Sequence, residues 1–144
     1  MASGFPPSLL NRFSFLLGKL YFQALDAEAD ELSSLNVNVK QQAALTVLSE
    51  EGPMTQQELG HRLGIDRTTI VNVVDGLDDR GLVERRRSPT DRRAYLLTLT
   101  PPGRDTRKQG RRRVAAAEER LLDELDEPDR ALLRRLLVRA LGGG

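Results

Sequence analysis

The stretch MTQQELGHRLGIDRTTIVNVVDGLDDRGLVERRRSPTDRRAYLLTLT, residues 54–100, decides the fold of this chain. Thr55-Gln56-Gln57-Glu58 has the spacing of a capping box, in which the Thr hydroxyl and the Glu carboxylate each satisfy an amide left unpaired by the first helical turn. The helix so started turns Leu59 and Leu63, four apart, inward and stops at Gly64. Asp66 predicts the cap of a second helix with Ile70, Val73, Val74 and Leu77 as its buried stripe, and Gly81 supplies the left-handed stop. Between the two helices, Leu63-Gly64-Ile65-Asp66 is the tight glycine turn that a helix-turn-helix needs. Leu82-Val83 then begin a strand ending near Arg87, and Ser88-Pro89-Thr90-Asp91 is turn chemistry. Tyr95, Leu97 and Leu99 alternate with Leu96 and Thr98 along the returning strand. Two helices followed by a ribbon with a cationic tip imply a device for holding DNA: the second helix suits the major groove and the ribbon reaches its flank.

Outward from this block the chain reads as helical. Leu9, Leu10, Phe13, Leu16, Leu17, Leu20, Tyr21 and Leu25 recur at three- and four-residue intervals, predicting one amphipathic helix from the Pro6-Pro7 start to about Asp30. Three of the four phenylalanines fall within its span from Phe13 to Phe22. Asn38 predicts the cap of a helix with Ala44, Leu45 and Leu48 inward and Gly52-Pro53 at its end. Thr100 before Pro101 is a further cap with proline at the first helical position, opening a long helix to about Leu125. From about Asp126 a last helix runs to about Leu141, with Leu132, Leu133, Leu136, Leu137 and Val138 apolar, and Gly142 to Gly144 are expected to fray. No repeat, low-complexity tract or long linker divides the chain.

Composition narrows the function classes. With 144 residues, 39% of them hydrophobic and 30% charged, the chain is expected to be one ordered soluble domain. It has no apolar run approaching the roughly 18 residues of a membrane span, and its opening lacks the blocks of a secretory signal, so the expected location is the cytoplasm, without membrane contact. The absence of cysteine removes disulfides, thiolate zinc sites and thiol switching. His61 is the only histidine and sits in no metal-ligand spacing, so no metal and no cofactor are expected. An enzyme is disfavoured for the same reason: no paired acids lie at a glycine-rich or metal-binding motif. Net charge is only +1, yet the charges segregate. Arg85 to Arg93 holds five arginines against Asp91, and Arg104 to Arg113 holds six cations against Asp105, enough to build a basic face on a nearly neutral protein.

The residues Arg80-Gly81-Leu82-Val83-Glu84-Arg85, Pro89-Thr90-Asp91-Arg92-Arg93 and Leu97-Thr98-Leu99-Thr100-Pro101-Pro102-Gly103 resemble the MarR (multiple antibiotic resistance regulator) family of winged helix-turn-helix transcription factors. Gly52-Pro53-Met54-Thr55 and Leu59-Gly60-His61-Arg62-Leu63-Gly64 are also similar to its pattern, and the likeness runs from about Asn38 to Gly103. The resemblance implies a mainly α fold with a small β-hairpin wing. It implies a winged DNA-binding region over residues 38–100 and a helical dimerisation region over 8–30 and 104–141, within a single domain of 1–144. It also implies an obligate homodimer with intertwined terminal helices, which suits the apolar faces at Leu9 to Leu25 and Leu121 to Leu141.

Candidate contacts follow. Arg67, Thr68, Thr69 and Asn72 occupy the exposed face near the start of the second helix. Arg can pair with guanine, Asn with adenine, and Thr with phosphate or a thymine methyl; a solvated helix face is the ordinary alternative. Asn72 and Gly76 stand where the family often has Arg. The resemblance assigns Arg93 to a minor groove at the wing tip, with Asp91 pairing with and orienting it. Arg85, Arg86, Arg87 and Arg92 are candidates for phosphate neutralisation, though part of this set could instead support the wing internally. His61 reads as surface, and the cations from Arg104 to Arg113 as a solvated face.

The expected function is sequence-specific, DNA-binding transcriptional regulation, as a repressor, by a homodimer on a palindromic operator. A small aromatic or amphipathic effector between the dimer helices and the winged domain would release it. Phe13, Phe15, Tyr21 and Phe22 could line such a site, although core or dimer packing explains each more simply, so no effector residue is assigned. A winged module that binds protein rather than DNA is the rival, but it would gain nothing from five cations around the wing.

Overall fold

Side-chain caps at Asn38, Thr55, Asp66, Thr100 and Asp126 fix where five of the helices begin, each accepting a hydrogen bond from an amide of the first turn. In the computed structural model, which describes residues 4–143, the order is α1 (Pro7–Leu10), α2 (Phe13–Leu32), a 3-10 turn (Ser33–Leu35), α3 (Val39–Glu51), α4 (Gln56–Leu63) and α5 (Arg67–Asp79). Strands β1 (Val83–Arg87) and β2 (Tyr95–Leu99) follow, then α6 (Pro101–Leu121) and α7 (Glu127–Ala140). This is the expected class: mainly helical, with one two-stranded antiparallel hairpin.

The predicted α4-turn-α5 unit forms as read. Both arms of the Thr55 and Glu58 box are made, at 2.9 and 3.1 Å. Gly64 and Gly81 hold positive φ of 64° and 67°, which lets the chain turn at two helix ends without a Cβ clash. A second box joins Asn38 and Gln41 at the start of α3. Val83 faces Leu99 and Arg87 faces Tyr95 across the hairpin, and Met54 adds a third, one-residue rung by accepting the Leu97 amide at 2.7 Å.

One core ties these pieces together. Leu32, Ala44, Leu45, Leu59, Val74, Leu77, Val83 and Leu97 are buried, drawn from α2, α3, α4, α5 and both strands. Full burial of a large aliphatic side chain is worth about 1.5–3 kcal/mol as an upper figure, so the winged unit carries its own stabilising centre. Leu63 reaches that centre only in part.

Two joints fasten the winged unit to α6. At the wing base, the Thr100 hydroxyl donates to the Gly81 carbonyl at 2.6 Å and accepts from the Gly103 amide at 3.1 Å. Gly103 comes so close that a Cβ there would stand 1.9 Å from the Leu82 carbonyl oxygen. Farther along, the buried Gln42 of α3 donates to the Arg107 carbonyl at 3.1 Å and lies against Gly110.

The structure corrects four expectations. The first helix is broken at 11–12: the Asn11 amide donates to the Pro7 carbonyl and the Arg12 amide to the Leu9 carbonyl, closing α1, and Arg12 itself is extended. This break folds Phe5 back onto Phe15, ring centroids 5.1 Å apart, beneath the Lys19 ammonium. Second, the long helix ends at Leu121 instead of Leu125. Arg130 of α7 donates its Nε to the Leu122 and Leu125 carbonyls at 3.0 Å and pairs with Glu119, so a side chain takes carbonyls that another helical turn would have used. Third, Gly142 and Gly143 are tied to the end of α7: their amides donate to the Arg139 and Val138 carbonyls at 3.0 Å, while Gly144 lies outside the described residues. Fourth, the wing turn is longer than Ser88 to Asp91, spanning 88–94.

Candidate nucleic-acid interface

The start of α5 is built by Asp66. Its carboxylate accepts the Thr69 amide at 2.7 Å. Hydrogen bonds from the Thr69 backbone and side chain hold it below the ordinary Asp range, with a smaller contribution from the charge of Lys40. Thr69 is therefore engaged and half-buried, whereas Arg67, Thr68 and Asn72 stand exposed. Three exposed polar side chains within the first two turns, at the positive end of a helix dipole, form a surface that favours phosphate and can read base edges.

Gly76 does not share that surface. A Cβ there would lie 2.5 Å from the Gln41 Nε2, so the position faces α3 and an arginine would meet the α3 cap before any ligand. Any side chain at 76 therefore requires Gln41 to move.

The wing tip is closed by its own polar groups. The Ser88 amide donates to the Ala94 carbonyl at 2.9 Å, and the Ser88 hydroxyl accepts from the Thr90 and Asp91 amides at 3.3 Å. Asp91 accepts the Arg93 main-chain amide at 3.0 Å. It thus orients Arg93 through the backbone, not through the guanidinium pairing that was expected. Arg92 and Arg93 make no ion pair among the described residues, and both are exposed.

The other wing arginines differ. Arg87 donates to the Arg92 carbonyl at 2.8 Å and lies 5.3 Å from the Tyr95 ring centre, bracing the hairpin. Arg86 pairs with Glu84 yet keeps most of its side chain in solvent. Arg85 reaches back to α5, pairing with both Asp75 and Asp78. Between α4, α5 and the wing lies an open cleft of about 1020 Å³, lined by Gln56, Gln57, His61, Arg67, Arg85 and Asp91 among others.

Lys40 escaped the sequence reading. It is exposed at the first turn of α3 and its charge is felt at Asp66 across the interface. The signal was present: a lysine two residues after a helix cap, in the helix packed against α5. The α6 cations form a largely solvated face, as expected, with Arg107 alone half-buried, and three of them have partners. Arg104 donates to the Leu99 carbonyl at 3.1 Å, Arg107 pairs with Glu50 at 3.2 Å, and Arg113 with Glu31 at 3.7 Å.

Away from the wing, α2 and α7 leave apolar side chains in solvent. Phe13 is 81% exposed and Phe22 66%, which removes them from this chain's own core. Tyr21 lines a groove of about 440 Å³ between α2, α6 and α7 with Leu17, Leu121, Leu133 and Leu137. Beside it, burial and the nearby Glu118 push the Glu28 carboxyl above its ordinary range. A second groove of similar volume, between α3 and α6, is lined by Val39, Val47, Gln42, Arg107 and Arg111 and by no aromatic residue. Two buried atoms there, Gln42 Oε1 and Arg107 Nε, have no hydrogen-bond partner. No helix among the described residues is long and apolar enough to cross a membrane.

A MarR family model matches residues 37–95. The putative transcriptional regulatory protein for the hcr operon of Thauera aromatica is 35% identical over 95 residues, which make up 66% of this chain and 57% of that protein. The chain thus spans less than two thirds of that relative's length. A probable transcriptional regulator from Pseudomonas aeruginosa superposes with a TM-score of 0.83 at 32% identity, over 92% of this chain and 98% of that one. A mutant MarR from E. coli, solved in complex with operator DNA, has a TM-score of 0.79 at 26% identity, over 88% and 91%.

Proposed function

The chain belongs to the MarR family, whose members matched here are transcriptional regulators and not enzymes, and from that footing we propose that it is a sequence-specific DNA-binding repressor acting as a homodimer. The observation that carries the reading is a separation of surfaces. Arg67, Thr68 and Asn72 on α5 and the unpaired Arg92 and Arg93 on the wing belong to the winged unit, while α2 and α7 expose an apolar face.

Residues 38–100 act as the DNA-binding region, and residues 8–30 and 104–141 join two copies. In the pair, two α5 helices enter successive major grooves of a palindromic operator, with half-site centres about 10 bp apart. Arg67, Thr68 and Asn72 read bases or phosphates, with Thr69 supporting them. Arg93 enters the minor groove, while Arg86 and Arg92 neutralise phosphates. Asp91 and Arg87 hold the wing in shape. A small amphipathic effector fits the groove between α3 and α6. There Val39 and Val47 suit its apolar part, and the exposed Arg111 suits an anionic group. Such a ligand acts only through a difference in its affinity for the two spacings of the reading helices.

Selection of bound sequences from random duplex DNA, followed by titration of the recovered duplex against salt, tests the reading. A palindrome bound by two subunits with a steep salt dependence is expected. A monomer in solution, or no duplex retained in dilute buffer, would overturn it.

A further inference from the structure

Helix α5 presents a paradox for an element that approaches DNA. Between Arg67 and Asp79 it carries one cation against three carboxylates, Asp75, Asp78 and Asp79. A surplus of negative charge on that helix repels the phosphates that its first turn is placed to meet. Arg85 on β1 answers two of the three. One terminal nitrogen meets Asp75 at 2.9 Å and the other meets Asp78, three residues farther along the same helix face. All three side chains keep contact with water, Arg85 at 35% exposure and the carboxylates at 55% and 41%.

Ion pairs so exposed contribute about 0–1 kcal/mol, too little to be what holds the wing in place. The hairpin is already secured by the buried Leu82, Val83 and Leu97 and by the Met54 bridge. What the contact does change is charge. We infer that Arg85 is an internal counterion that masks Asp75 and Asp78 so that α5 can lie against a phosphate backbone, and that it is not itself a phosphate contact. This inference rests on the proposed DNA binding. It identifies Arg85 as a positioning residue, acting on DNA through the carboxylates it neutralises.

The two roles are separable in one set of titrations. The probe is a fluorescein-labelled duplex recovered by the selection above, measured by anisotropy across a series of salt concentrations with wild-type protein, R85Q, D75N/D78N and the triple variant R85Q/D75N/D78N. As a counterion, Arg85→Gln weakens binding about tenfold, the lower part of the range for one charged contact. Removing the carboxylates as well returns affinity to within about threefold of wild type, and D75N/D78N alone binds at least as tightly as wild type. A phosphate contact predicts otherwise: the triple variant stays about tenfold weak, and R85Q loses about one unit of the salt slope. That pattern overturns the inference, as does a tenfold loss in D75N/D78N, which keeps Arg85 and would mark the pair as a mechanical clamp. Failure of the wild-type protein itself to bind any duplex removes the DNA reading, and the inference with it.

Discussion

Replacing Gly103 with alanine tests the joint between the wing and α6. The added Cβ would stand 1.9 Å from the Leu82 carbonyl oxygen, more than 1 Å inside the 3.0 Å approach that real Cβ atoms essentially never breach. The obstacle is backbone on both sides, so no rotamer change relieves it. Displacing it separates Thr100 from its bonds to Gly81 and Gly103. Overpacking of a well-filled site costs about 1–3 kcal/mol, and the upper figure applies where backbone must move. Alanine recovers about 1 kcal/mol of helix propensity, leaving a net loss of about 2 kcal/mol. For a chain of this size that is a fall of about 4–8 °C in melting temperature, read by circular dichroism at matched protein concentration. Gly110→Ala is the companion: its Cβ meets the Gln42 Oε1 at 2.0 Å, the far end of a side chain that can swing aside, so its loss is smaller. A Gly103→Ala protein that melts with the wild type, or a Gly110→Ala protein that falls further, would refute the steric reasoning.

Three other outcomes are expected. Arg93→Ala weakens operator binding by about 1–3 kcal/mol in a gel-shift or anisotropy titration, with the dimer intact by light scattering. Asn72→Ala changes the ranking of operator variants more than it changes the salt slope; equal losses on operator and random duplex would assign Asn72 to the phosphate backbone. Glu28→Gln raises thermal stability at neutral pH. Because burial and Glu118 lift the Glu28 carboxyl, the folded state holds its proton more tightly, so wild-type stability falls as pH rises from the ordinary Glu range through the raised value. The advantage of the variant therefore disappears at acid pH, and one that is flat across a pH series of melting curves would contradict that assignment.

Most of the architecture was legible because it rests on local rules. Asn38, Thr55, Asp66 and Thr100 each announce a helix start by a hydrogen bond within three residues, and all four are made. Gly64 and Gly81 mark turns by the conformations that only they adopt cheaply. What escaped depends on partners distant in sequence. Nothing near Leu121 ends α6; Arg130 does, from the next helix. Gly76 reads as an absent DNA contact until Gln41 of α3 is seen against it. Arg85, Arg86 and Arg87 are identical in sequence terms, yet the hairpin's alternation and twist send them to α5, to Glu84 and to Tyr95. Charge runs locate a basic hairpin, but sorting its free arginines from its engaged ones requires coordinates.

The stitching of Thr100 and Gly103 to Gly81 and Leu82 makes the hairpin a rigid crank on the α6 shaft. Five residues per strand give it a reach of about 17 Å. On such an arm a tilt of about 5° at the shaft sweeps the tip through about 1.5 Å, half the length of a hydrogen bond. Small bends among the terminal helices are thus delivered, magnified, to the fingertip arginine.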